Sequence, residues 1–460
     1  MEVADRPSGT LSVPEGHLQK SLQERSAIDV VTKPTRAPVT YRALFGLPGL
    51  PRLAGATVVA RTGASMQALV LVLFVLQRFQ SPPLAGLVVF LSLVPGLVVS
   101  PVAGALLDRH QRMLLIRLDY AIGATALGLL ALLDSLGRLP VPILLLIVGV
   151  GSLTNPLSNS GTRSLFPVMV PRVLWGRVNA IDSGAYVVAS ITGPALAGVL
   201  VGAAGVHAAL LATAVLYIGG FVLLLSMTEP AIERIAGGSL VRDALAGVGY
   251  VMRHRELRGI AVATSVMNVG FGILTVGMPV LLLSQLHAGA ASVGVMYAIM
   301  GLAGLVASVV AGRIPSEHRE VWFVFVGCCL SGLAMAAMLI AAGVGGGLVV
   351  VGVAMAIFGV SQGPYDIGMF SLRQRVTAPA WMGRAFAVSM SLNFIGMPIG
   401  SALAGPVVGH SLPTAFIAAV LVNVVAGVAA LLMLRNRAAP SPAVPAAADD
   451  RRHDQRPFPD

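Results

Sequence analysis

Long apolar runs separated by short polar or charged links dominate this chain. Each run holds roughly 18 or more apolar residues, enough to cross about 30 Å of hydrocarbon as an α-helix. Barrel strands would be about 10 residues long and alternate in polarity, so the pattern predicts bundled helices. The first runs are about Leu53–Gln77, Leu84–Leu107, Met113–Leu133, a fourth from Val141 with Pro156 toward its inner end, Val178–Ala203 and Val206–Met227. The second set is about Ile260–Leu286, Ala291–Ala311, Val321–Ala342, Leu348–Phe370, Ala385–Val408 and Pro413–Leu434. The predicted fold class is an all-α membrane protein with twelve transmembrane helices in two six-helix sets. Residues 1–42 and 437–460 lack periodicity and are expected to be disordered cytoplasmic tails. Residues 43–228 and 259–436 are the two bundles, and the polar, weakly amphipathic stretch 229–258 is the cytoplasmic linker between them.

Composition agrees with that reading: 56% hydrophobic, 11% charged and a mean hydropathy of +0.84 describe a polytopic membrane protein. No short apolar core with a cleavage site precedes the first run, which is expected to act as its own insertion signal. The net charge of +11 is unevenly spread. Links on one side carry most of the arginines, from Arg109 to Arg384 and including Arg117 and Arg373, while the opposite links hold Arg78 and Arg138. This positive-inside asymmetry puts both termini in the cytoplasm and predicts a multi-pass protein of a bacterial inner membrane. A nucleic-acid partner would need a folded basic domain, which the pattern lacks. The two cysteines, Cys328 and Cys329, are adjacent and make no disulfide framework.

The chain also repeats itself. Gly193-Pro-Ala-Leu-Ala-Gly198 returns as Gly400-Ser-Ala-Leu-Ala-Gly405, an offset of 207 (400 minus 193). Gly176-Arg177 returns as Gly383-Arg384 at the same offset, and Gly104, His110 and Pro156 return as Gly312, His318 and Pro364 at 208. Small residues recur by chance among 52 glycines, but the shared offset argues for two parallel repeats related by an axis along the membrane normal. Between helices 2 and 3 lies Gly104-Ala-Leu-Leu-Asp108-Arg109-His-Gln-Arg112, whose charges must face water. Each would cost about 2.5–3.5 kcal/mol at a helix centre in lipid.

Gly104-x-Leu106-x-Asp108-Arg109-x-x-Arg112 resembles the signature that the major facilitator superfamily carries in this place, with Gln111 where a glycine is common. Gly193-Pro194-Ala-Leu-Ala-Gly198, Arg258 before helix 7, and Gly383-Arg384 leading to Pro398-Ile-Gly400 are similar to its twelve-helix drug:proton antiporter branch. Macrolide and siderophore efflux proteins belong to that branch. The resemblance spans residues 43–436. It implies a cavity between the halves, lined by helices 1, 4, 7 and 10 and opened alternately to each side by rocking of the two bundles.

Within that scheme Asp108 can latch the inner side by resting on the positive N-terminus of helix 11, near Gly383 and Arg384. The contact is worth about 0.3–1 kcal/mol when exposed and about 2 when partly buried. The alternative is a solvated loop that only sets topology. Arg109 and Arg112 can pair across the interface or bind anionic headgroups. The second half has Ser316 in the place of Asp108, so the latch is asymmetric. Gly193, Pro194 and Gly198, with Pro398, Gly400 and Gly405, permit close helix approach and local bending.

Arg61 lies about eight residues into helix 1, or roughly 12 Å. It faces the cavity or an acidic partner, or its stem snorkels to water; facing the cavity, it would favour anionic solute groups. Asn155, Asn159 and Arg163 on helix 4, Asn268 on helix 7, and Gln362 and Tyr365 on helix 10 are candidate solute contacts, or bonds between helices. Met267, Phe271, Met278, Met296 and Met300 suit adaptable apolar solutes or ordinary packing. Asp119, Asp182 and Asp366 all lie toward inner helix ends and not at the midplane, where a proton-coupling carboxylate is expected. Asp366, on a cavity helix beside Pro364 and Gln362, is the best proton candidate, with capping or ion pairing as the alternative.

Other classes fall away on the same residues. Lys20 and Lys33 are the only lysines and lie in the tail, so no phosphate-cradling loop of an ATP-driven pump exists. No histidines stand at metal-ligand spacing, and no Ser, His and acid form a hydrolase group, so an enzyme is not expected. The expectation is a monomeric secondary transporter in the lipid bilayer, without a cofactor, exporting drug-, antibiotic- or siderophore-like amphiphiles on the proton gradient. Proton-coupled uptake of a small metabolite, or a non-transporting sensor, are the alternatives.

Overall fold

The computed structural model describes residues 41–171, 174–227, 229, 240–344, 347–378 and 381–434, and leaves out a few side chains in these stretches, including those of Asp108 and residues 382–387. The described residues are helical, with no strand among them. Helix α1 (Leu50–Phe79) has proline in its first turn, where the missing amide hydrogen costs nothing. Helix α2 (Pro82–Arg109) starts three residues later, with the Ser81 hydroxyl accepting from the Leu84 amide at 3.3 Å. Helix α3 is Arg112–Ser135, and α4 comes as two pieces, Val141–Ser152 and Asn155–Met169, broken just ahead of Pro156.

Residues Trp175–Leu225 form one helical stretch of 51 residues. At 1.5 Å per residue it would be about 75 Å long, more than twice the hydrocarbon thickness. Gly205 resolves the difference: at φ 83° and ψ 168°, a conformation that side chains disfavour, it breaks the stretch into α5 (175–204) and α6 (206–225). The eleven continuous apolar spans among the described residues are therefore twelve crossings.

The second half repeats the plan with α7 (Arg255–Val280, prolonged by a π-helical turn Leu281–Gln285), α8 (Gly289–Ala311), α9 (Glu320–Val344) and α10 (Gly347–Val376). Helix α11 (Met382–Phe394 and Gly396–His410) and α12 (Leu412–Leu434) complete it. Helix α6 ends at Leu225 and α7 begins at Arg255, so the linker expected at 229–258 falls a few residues earlier in the chain. It carries a helix of its own, Leu240–Arg253, and α7 has Glu256 in its first turn, where a carboxylate favours the helix N-terminus. The tails at 1–40 and 435–460 lie outside the described residues, and a short helix, Tyr41–Phe45, spans the boundary expected at residue 42.

Between the halves, α5 packs on α8 and α2 on α11. One apolar core runs through the first half and continues into α7, α8, α10 and α11 of the second, through Leu274, Val293, Met355 and Val408. A separate core, with Leu257, Val324, Leu372 and Leu434, fills the opposite ends of the second-half helices. The halves thus share a core at one end and not at the other.

Candidate transport cavity and the crossings between halves

The shared end is closed by bare backbone. A Cβ added to Gly198 on α5 would stand 2.5 Å from the Cα of Gly294 on α8, and one added to Gly405 on α11 would stand 2.8 Å from the Pro83 Cα of α2. Gly86 of α2 lies against the same Gly405. Gly86 and Gly294 are themselves 208 residues apart (294 minus 86), a match in the repeat that the sequence reading missed. Two equivalent glycine crossings therefore close one end of the molecule. The arginine-rich links lie at the other end, so by the positive-inside rule the crossings are at the outer face. There the halves share one core, whereas the inner ends of the second-half helices pack around a core of their own.

Gly193 and Gly400 work within the halves, Gly193 against Thr62, Ser65 and Met66 of α1 and Gly400 against Val269 of α7. The bending expected at Pro194 is not found there, because the α5 backbone leaves helical angles only at Gly205. In α11 the interruption falls at Ile395, directly after Phe394, whose carbonyl the Pro398 ring would meet.

A cavity of about 190 Å3 lies inside the first half. Helices α1, α2, α3, α4 and α6 line it, with Arg61, Gln67, Asp119, Asn155, Asn159 and Tyr217 supplying its polar groups. Sequence reasoning expected a cavity shared by helices 1, 4, 7 and 10, but this one is confined to the first half. Arg61 lines it and also has the acidic partner foreseen as an alternative. Its guanidinium donates to the Asp182 carboxylate at 2.6 Å and to the Asp182 carbonyl at 2.7 Å, tying α1 to α5. Arg163, a candidate solute contact, stands 63% exposed with its Nε 3.6 Å from the other Asp182 oxygen. Asp119, only 3% exposed, is within hydrogen-bonding reach of the Ser158 and Thr154 hydroxyls. The Tyr217 hydroxyl donates to Gln67 at 2.9 Å, and the Tyr120 and Tyr217 rings sit 6.2 Å apart. Asp119, Gln67 and Tyr217 were missed as site residues; a lone amide and a lone carboxylate inside apolar runs were the available signals.

The second-half candidates do not join this cavity. The Asn268 amide donates to the Asn393 carbonyl at 2.8 Å, holding α7 to α11, and the buried Tyr365 hydroxyl donates to Thr264 at 2.7 Å, holding α10 to α7. Both act between helices, as the alternative reading had it. Gln362 donates to the Ser361 hydroxyl at 3.3 Å, while Asp366 is exposed on α10. Arg373 was counted among the solvated links, yet it is 0% exposed, with its guanidinium 5.6 Å from the Phe370 ring centre and in contact with Met390 of α11. Arg117 is no link residue either: it donates to the Leu224 and Met227 carbonyls and caps the C-terminus of α6.

The link read as Gly104 to Arg112 is two helix ends joined by His110 and Gln111. Arg109 is exposed, Arg112 reaches the Ser164 carbonyl at 3.5 Å, and a side chain at Gly104 would meet nothing within 4 Å. The side chains of Asp108 and Arg384, and the surroundings of Gly383, lie outside what is described. In the second half Ser316 bonds Ser371, and Arg375 pairs with Glu320 at 3.2 Å.

Comparison with known proteins agrees with this architecture. The Major Facilitator Superfamily family model matches residues 53–401. The uncharacterized MFS-type transporter y4rN of Sinorhizobium fredii (strain NBRC 101917 / NGR234) is 36% identical over 85% of this chain and 96% of its own. The enterobactin exporter EntS of Citrobacter koseri (strain ATCC BAA-895 / CDC 4225-83 / SGSC4696) is 27% identical over 71% of this chain and 75% of its own. Among solved structures, a variant of the nucleoside transporter NupG superposes with a TM-score of 0.70 at 14% identity, covering 84% of this chain and 99% of that one, a likeness of fold alone. The repeat, the glycine crossings and the family match lead to one conclusion: this chain is a multi-pass membrane transporter of the major facilitator superfamily.

Proposed function

We propose that the protein is a proton-driven exporter of amphiphilic small molecules of drug, antibiotic or siderophore type. The observation that carries this reading is the pairing of two outer glycine crossings with a core that is continuous outside and divided inside. Two rigid bundles hinged on such crossings can rock and expose a central path to either side. Likeness to an enterobactin exporter supports outward transport.

The first-half cavity, with Arg61, Asn155 and Asn159, receives part of the solute, and Asp108 with the start of α11 gates the inner face. Asp366 carries the proton. It is exposed 10 residues before the end of α10 (376 minus 366), about 15 Å along the helix, where lipid would not accept a carboxylate and a water-filled opening would. Both termini face the cytoplasm of a bacterial inner membrane, a reading that the even number of crossings and the inner arginines support. The protein works there as a monomer, without a resident cofactor.

The test is a toxicity screen in cells lacking their own exporters, with and without this protein. Protection against at least one amphiphile, abolished by a protonophore, is expected. Protection that Asp366→Asn retains together with its protonophore sensitivity would contradict the coupling role, and sensitisation would reverse the direction.

A further inference from the structure

We propose that Asp119, Tyr120 and Tyr217 hold the positively charged head group of an organic cation, an inference that rests on the transporter reading and names the chemistry of its solute. Asp119 is 3% exposed and faces the first-half cavity. Its neighbours Ser158 and Thr154 offer neutral hydroxyls. Among the described residues it forms no ion pair, whereas the other buried carboxylates Asp134, Asp182 and Glu320 each do. A buried carboxylate without a counter-charge is unfavourable, and a cationic ligand removes that penalty.

Arg61 lines the same cavity but is committed twice to Asp182, so the two act as a neutral unit. Arg163 also leans on Asp182, and its 63% exposure leaves its field screened by water. The charge of Arg61 is thus matched by Asp182, and the carboxylate of Asp119 is the charge in the cavity without a salt-bridge partner among the described residues. Tyr120 and Tyr217 line the same cavity, their rings inclined at 52° with centres 6.2 Å apart. The hydroxyl bond to Gln67 fixes the second ring. Aromatic faces beside a carboxylate are the arrangement that attracts an alkylated or protonated amine. At about 190 Å3 the cavity is smaller than the roughly 300–1,000 Å3 that encloses a drug-sized ligand. It takes the head group and leaves the apolar remainder in the opening between the halves.

The test is calorimetric titration of the full chain in micelles with benzyltrimethylammonium, with its uncharged carbon isostere neopentylbenzene, and with benzenesulfonate. Saturable binding of the ammonium, at least tenfold tighter than that of the isostere, is expected. Asp119→Asn should weaken ammonium binding at least tenfold and leave the isostere unchanged. Equal binding of ammonium and isostere by the wild-type protein overturns the proposal, and this arm needs no variant to fold. A preference for the ammonium that survives Asp119→Asn, or tighter binding of benzenesulfonate that Arg61→Gln abolishes, overturns it as well. Flux of any solute in proteoliposomes is scored separately. Flux without cation binding removes only this inference, and cation binding without flux removes the transporter reading and leaves the site.

Discussion

Gly198→Ala tests the outer closure at the crossing of α5 and α8. The added carbon would stand 2.5 Å from the Gly294 amide nitrogen and Cα and 2.9 Å from the Ala290 carbonyl oxygen. Carbon pairs settle at about 3.5–4.0 Å, so α5 and α8 must part by roughly 1 Å. The obstructing atoms are all backbone and cannot rotate away. Overpacking of this kind costs about 1–3 kcal/mol. Because α5 and α8 separate here when the outer side opens, the cost falls on the outer-closed state alone. The ratio of outer-closed to outer-open molecules should then drop by about 5–150-fold.

Spin labels at Gln80→Cys and His287→Cys, in a Cys328→Ala and Cys329→Ala background, report this directly, since both sites are exposed in outer links of opposite halves. Electron–electron double resonance should show a longer-distance population growing in Gly198→Ala. Gly405→Ala, whose Cβ would stand 2.8 Å from the Pro82 carbonyl oxygen, should do the same. Gly104→Ala, which meets nothing within 4 Å, should change nothing. Unchanged distances in both crossing variants would refute the assignment of these glycines to the closure.

Two further outcomes follow from the first half. Arg61→Gln strips Asp182 of its nearer partner. Losing one member of a buried pair costs about 3–5 kcal/mol, and less here because Arg163 remains nearby, so the thermal unfolding temperature should fall. Adding Asp182→Asn should recover most of that loss, and simple additivity of the two would contradict the pairing. Asp108→Asn should leave more of the carrier inward-open and lower its flux, measured with the same labels and in proteoliposomes; full flux would remove the gate role.

Helix count and fold class were legible in the sequence because lipid enforces length and polarity on every crossing. The division at Gly205 hardly shows in the pattern, yet two apolar runs of ordinary length on either side of it already implied a turn. The glycine crossings were half visible: Gly198 and Gly405 were caught by their repeated context, while Gly86 and Gly294 were not, since each sits in an unlike local sequence. Side-chain partners were least legible. Whether Arg61 addresses solute or Asp182 depends on how α1 is rotated against α5, and no periodicity fixes that angle. Arg373 and Arg117 illustrate the same limit, because an arginine near a helix end reads as a wet link until a neighbouring helix is seen to cover it.

The proposed function is outward movement of a solute by two rocking bundles at the expense of the proton gradient. Its most direct test is flux of a solute identified in the toxicity screen, in proteoliposomes of the purified full chain under an imposed proton gradient. Accumulation against the solute's own gradient is expected, reversed when the proton gradient is reversed and abolished when it is collapsed. Flux that is indifferent to the gradient, or absent while the labelled halves still rock, would contradict it.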